Sequence, residues 1–266
     1  MSLHGSQIPY LSRTSGCNAL RWDILTGCDN PPEICAVKGR ALCWAECKAW
    51  RTGDPDFAPA FHPELLPCIG RLHRPRNIAV GFGGDMWSPG VDIEWKMQTW
   101  RIERLYPRNN YIHLTKCARA VGTPWYLPPR IWMGISVCNQ GDASQIHIIQ
   151  NVQRHTTRVL HAKRWISFEP ILGPLLPEIG WFIDISFVVI GGLSDGNGRI
   201  IPPDEGGTRA EWIDPLIQQV HNAGVPCYLK NLRRDVLRQI TNPRTGRPFE
   251  TMNEMRDLPK EWLALK

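Results

Sequence analysis

A chain of 266 residues with 42% hydrophobic content can bury one large core, and its length fits a single α/β barrel as readily as two smaller domains. Thirty-one Lys and Arg against twenty-five Asp and Glu give a net charge of +6, a balance that favours a polyanion such as nucleic acid without requiring one. The N-terminal stretch has no apolar signal core, and the longest apolar run, 181–193, is broken by Asp184 and too short to span a bilayer. A cytoplasmic protein with no membrane partner is expected.

In chain order, short apolar runs at 21–25, 78–82, 111–115, 131–137, 165–168, 187–190 and 227–229 read as buried parallel strands. Helical spacing appears between them at 93–106, 144–155 and 211–223, the last closed by Gly224. No repeat or linker interrupts the pattern, so a single domain over 1–266 is expected. Alternating strands and helices predict an α/β fold, a partial or complete TIM-like (β/α) barrel, with a doubly wound sheet as the alternative. Polar residues cluster where strands end: Gly83-Gly84-Asp85, Thr115-Lys116, Ser136, Glu169-Pro170 and Gly191-Gly192. Such folds assemble their sites there.

Nine cysteines, five of them between Cys17 and Cys47, are odd in number and too crowded for a disulfide scaffold. The segment 26–50 carries Cys28, Cys35, Cys43 and Cys47 on a loop after the first strand. Thiolates there suit an iron–sulfur cluster or zinc. The spacing alone leaves both open, together with unligated buried thiols. The histidines show no metal-binding spacing and are expected on the surface and in loops. Trp44, Trp87 and Trp125, in loops, are candidates to stack on a base.

Thr26-Gly27-Cys28, Cys35 and Cys43-Trp44-Ala45-Glu46, followed by Phe61-His62-Pro63-Glu64, Gly84-Asp85-Met86-Trp87, Leu114-Thr115-Lys116, Trp132-Met133-Gly134-Ile135-Ser136-Val137, Ser167-Phe168-Glu169-Pro170-Ile171-Leu172-Gly173-Pro174 and Val189-Ile190-Gly191-Gly192, form an ordered series over most of the chain. The series resembles the three-cysteine phage and prokaryotic family of radical S-adenosylmethionine proteins, distantly related to spore photoproduct lyase. The chain departs from that family in one place. Seven residues separate Cys35 from Cys43 where the family has two, and Cys47 is the rival third ligand.

The resemblance implies a radical S-adenosylmethionine barrel in which Cys28, Cys35 and Cys43 hold a [4Fe–4S] cluster. Its open iron would bind S-adenosylmethionine, and an electron-donating reductase would trigger cleavage to a 5′-deoxyadenosyl radical. Gly83, Gly84 and Asp85 are then expected at the methionine ammonium, although Asp85 also reads as a turn carboxylate capping the next helix. Lys116 is expected at the cofactor carboxylate or a phosphate, Ser136 and Glu169 at ribose or substrate, and Gly191 and Gly192 against the adenine. Cys117 and Cys138 are candidate hydrogen donors to a product radical, or else inert buried thiols.

Phage members of the resembling family are implied in thymidine hypermodification. The reaction so implied is an isomerisation of an amino-acid-substituted thymidine in DNA, moving a glycyl attachment from nitrogen to carbon, in the host cytoplasm. Photoproduct repair is the alternative enzyme, and a zinc-stabilised nucleic-acid-binding module the non-enzymatic one. Basic groups at 71–76, 154–164 and 230–234 are candidates to track a phosphate backbone.

Overall fold

The computed structural model describes every residue except 1, 2, 7, 13, 14, 55, 122–129, 152–161 and 266. Seven strands, β1 (Leu20–Trp22), β2 (Asn77–Val80), β3 (Asn110–Thr115), β4 (Ile131–Ser136), β5 (Lys163–Phe168), β6 (Phe187–Gly191) and β7 (Cys227–Lys230), each pair in parallel with the next. A two-residue strand, His4–Gly5, lies antiparallel along the free edge of β1. The protein is thus a mixed α/β structure around a mostly parallel sheet. Strand order follows chain order from one edge to the other, without the reversal that defines a doubly wound sheet.

All seven apolar runs are strands, but two end two or more residues earlier than their hydrophobicity suggests. After Trp22 the Asp23 carboxylate turns back onto Arg21 at 2.5 Å, and the Ile24 carbonyl accepts from the His62 N–H. The chain therefore leaves the main sheet. Leu25–Gly27 joins a small sheet with Ala60–Phe61 and Gly83–Gly84. The second run stops at Val80 because Gly81 adopts φ +61°.

Seven helices among the described residues accompany the strands: α1 (Trp44–Arg51), α2 (Ile93–Leu105), α3 (Ala118–Val121), α4 (Ser144–Asn151), α5 (Ala210–Asn222), α6 (Arg234–Leu237) and α7 (Lys260–Leu263). Asp92 caps α2, its carboxylate accepting from the Glu94 N–H at 2.8 Å. Gly224 closes α5 with φ +66°. The run expected to be helical at 144–155 is described as helix to Asn151; its remainder lies outside the described residues.

Alternate residues of each strand enter two different cores, as a pleat requires. On one face Val80, Met133, Ile166, Val188 and Leu229 pack against Ile146 and Ile149 of α4 and Ile213 and Ile217 of α5. On the other, Ile112, Trp132, Trp165, Phe187 and Tyr228 surround Tyr10 and Trp262 from the two ends of the chain. Trp262 meets the rings of Trp132 and Phe187 edge-on, with centroids 5.0 Å away in both cases. That second face changes character along the strands. Trp132, Trp165 and Tyr228 give way to Ser136, Ser167 and Lys230, so an aromatic floor leads to a polar rim at the strand C-termini.

Two expectations fail in the core. His113 is fully buried on β3, with Nε2 2.9 Å from the equally buried Glu103 carboxylate, so not every histidine is a surface or loop residue. Trp87 is 2% exposed and stands edge-on to His113 at 5.3 Å, which removes it as a base-stacking platform. Trp125 lies outside the described residues.

Gly134 is the tightest point of the aromatic floor. A Cβ there would lie 2.2 Å from the Trp165 ring, which is pinned by its Nε1 donating to the His113 carbonyl at 3.1 Å. Gly134→Ala should therefore destabilise the fold by about 1–3 kcal/mol through overpacking, measured as a lowered midpoint in denaturant unfolding. An unchanged midpoint would mean that Trp165 moves freely.

Candidate functional site at the strand C-termini

Local backbone constraints set the start of the cysteine loop. Gly27 has φ +77°, and a Cβ on it would fall 1.9 Å from the Ala58 carbonyl oxygen; only glycine allows that approach. Beside it Gly84 is equally confined, with the Gly27 carbonyl 2.2 Å from a would-be Cβ. The Cys28 N–H then donates to the Phe57 carbonyl at 2.9 Å. These bonds and close approaches fix where the loop leaves the small sheet.

The seven residues between Cys35 and Cys43 fold back on the loop. Lys38 Nζ donates to the Cys28 carbonyl at 2.7 Å, and the Gly39 N–H donates to the buried Glu46 carboxylate at 2.8 Å. Cys43 then occupies the N-cap of α1. As a result Cys28, Cys35 and Cys43 line one cavity of about 540 Å³. Cys47 is not among its lining residues. Its sulfur packs against Gly196, where a Cβ would meet it at 2.2 Å.

Gly84, Asp85, Lys116, Ser136, Glu169 and Gly192 line the same cavity. Asp85 is 5% exposed. Its Oδ2 accepts from Asn30 Nδ2 at 2.8 Å and from the Lys116 backbone N–H at 2.9 Å, while Oδ1 accepts from the Trp87 N–H at 3.0 Å. Asp85 is therefore a cross-link between loops, and capping of α2 falls to Asp92. On the opposite wall Glu169 pairs with Lys230 at 2.5 Å, and Lys230 stands 5.5 Å from the Tyr10 ring centroid.

The other expected residues lie outside this wall. Gly83 lines a second cavity of about 360 Å³. The space a side chain on Gly191 would need is filled by Glu169 and Lys230. Cys138 is buried beneath Lys116, whose Nζ donates to its sulfur at 3.2 Å. Cys117 is half-buried. Neither Cys117 nor Cys138 lines the cavity.

Arg21, Asn30, Lys38, Ser167, Lys230 and Tyr10 also line it, and none stood out in the sequence as a residue of this site. Lys230 directly ends the seventh strand, so the strand-end rule that picked out Lys116 would have found it. Asn30 lay inside the cysteine loop. Tyr10 has no local signal, because it comes from a segment far from any strand end.

Burial first, and the Asp85 carboxylate second, push the Cys28 thiol up to about 12. Burial likewise raises the Cys43 and Cys138 thiols. Cys28 therefore stays protonated at neutral pH, and a soft metal centre binding there must displace its proton. Among the described residues no group of three or more His, Cys, Asp or Glu side chains is already spaced to hold a metal ion. No described helix is long and apolar enough to cross a membrane.

The fold and site define a mostly parallel α/β protein with a thiol-bearing cavity at its strand C-termini. Residues 13–257 match the model of a family described as a protein of unknown function, DUF5131, and the chain belongs to that family. No curated protein and no solved structure matches it.

The raised Cys28 thiol has a direct chemical consequence. In the metal-free protein, alkylation of Cys28 at pH 8 should run about a thousandfold slower than that of an unperturbed cysteine and keep rising through pH 11. Because Asp85 raises this thiol, Asp85→Asn should lower it and speed the reaction at any given pH. Peptide mass spectrometry across a pH series reads both. A plateau below pH 10 would contradict the assignment.

Proposed function

We propose that the chain is a radical S-adenosylmethionine enzyme on a partial (β/α) barrel, with Cys28, Cys35 and Cys43 as ligands of a [4Fe–4S] cluster. The observation that carries this reading is the convergence of those three thiols on one cavity with Asp85, Lys116, Ser136 and Glu169. Seven parallel strands in unreversed order, with long helices packed on one face, support the barrel. A volume of about 540 Å³ suits a ligand of cofactor size.

The donor chemistry fits. Three thiols on one loop supply soft ligands for iron and leave one iron position open. When bound, the cluster supplies the electron that cleaves S-adenosylmethionine. Asp85 orients Asn30 and the Lys116 backbone around the loop, and Lys38 fixes the Cys28 carbonyl. Ser136 offers a hydroxyl for a ribose, and Glu169 with Lys230 offers an acceptor and a donor on the far wall.

By the same reading the substrate is a modified base of DNA, an amino-acid-substituted thymidine whose glycyl attachment moves from nitrogen to carbon. An electron-donating reductase is the partner. A base within a duplex reaches a cavity at strand ends only after it is flipped out of the stack.

Anaerobic purification should yield a brown protein with about four irons per chain. Cys28→Ser, Cys35→Ser and Cys43→Ser should each lose the cluster, while Cys47→Ser retains it; iron content and the visible spectrum give the answer. A colourless protein with stoichiometric zinc would overturn the proposal. For the reaction, reduced protein with S-adenosylmethionine and modified phage DNA should give a rearranged nucleoside by mass spectrometry. Cleaved thymine dimers with no rearranged nucleoside would instead assign repair.

A further inference from the structure

Two acid-free stretches of the chain meet at the N-terminal ends of β2 to β4. No Asp or Glu occurs between Glu64 and Asp85, or between Glu103 and Asp142. The first stretch enters β2 through Arg71, Arg74 and Arg76, and the second enters β3 through Arg108 and β4 through Arg130. Sheet register brings these entries together, since Asn77 pairs with Asn110 and Tyr111 with Ile131. Hydrogen bonds join them directly. Arg108 donates to the Leu72 carbonyl, and Arg130 donates to the Arg108 carbonyl at 3.4 Å.

Arg71, Arg74, Arg108 and Arg130 are exposed and Arg76 is half-buried. None of the five takes part in a salt bridge among the described residues. Arg199 and Arg233, by contrast, each hold an acidic partner, Glu205 and Asp235. We infer that this arginine face binds the phosphate backbone of duplex nucleic acid, independently of sequence and of the chemistry in the cavity.

Guanidinium groups present forked donors that match phosphate oxygens. Five of them, none in a salt bridge among the described residues, form a positive patch. Single-strand binding would call for aromatic platforms as well, and the arginines themselves supply none. The face is separated from the cavity by the length of β4, about 20 Å for its six residues. A duplex held there touches the protein at a point distant from any base in the cavity, so the face acts as a tether to the polymer.

The test is fluorescence anisotropy with a labelled duplex of about 30 base pairs, using the full-length protein without cluster or cofactor, so that its outcome is separate from that of the proposed reaction. Arg71→Gln/Arg74→Gln/Arg108→Gln should weaken binding about tenfold or more. It should also lower the salt slope of log K by about 0.9 for each phosphate no longer neutralised. An equally charged-down control, Arg234→Gln/Arg238→Gln/Arg247→Gln, should retain most of the affinity. The double variant Arg71→Gln/Arg74→Gln, whose side chains make no hydrogen bond among the described residues, guards against misfolding and should show an intermediate loss. Equal losses in both triple variants, unchanged binding in all, or binding to phosphatidylserine vesicles but not to duplex would each overturn the inference.

Discussion

The carboxylate of Asp85 joins three strand-end segments that are otherwise separate in the chain. It accepts from Asn30 in the cysteine loop, from Trp87 just beyond the small sheet, and from the Lys116 backbone at the end of β3. Removing such an acceptor strands buried donors at a cost of about 1–3 kcal/mol each. The rest of the cysteine loop hangs from this joint. Lys38 and Glu46 only complete a path whose beginning is fixed by Asn30 on one side and by Gly27 against Ala58 on the other.

Legibility in the sequence followed the range of the forces involved. Strands were readable because β-branched and aromatic runs serve both faces of a buried sheet, and chain order gave their alternation with helices. The early ends at Trp22 and Val80 were not readable, since they depend on Asp23 folding back onto Arg21 and on the backbone angle of Gly81. Cys35 looked displaced by its seven-residue spacing because the bonds that return it to the cavity are made between loop residues. Tyr10 and Trp262 could not be placed at all. Their positions are set by packing between opposite ends of the chain, and no periodicity records that.

One face of the sheet performs two tasks by dividing them along the strand direction. Near the strand starts, indole and phenyl rings interlock around Trp262 and leave no room at Gly134. Near the strand ends the same alternating positions carry hydroxyl, carboxylate and ammonium groups. The rigid aromatic layer thus supports the polar one directly beneath it, which limits how far Glu169 and Lys230 can drift. The residues that stabilise the fold and those that line the cavity are different members of the same strands.

The wall between the two cavities is of another kind. Arg21, Trp44, Ala45 and Phe57 line both chambers, and the Arg21 guanidinium stands 5.3 Å from the Trp44 indole centroid, so side chains form part of the partition. Exchanging Trp44, at the start of α1, for a smaller residue would enlarge the accessible space while leaving the main sheet and the aromatic floor in place. The size of ligand admitted can therefore change at one side chain while the strands that carry the cavity keep their places.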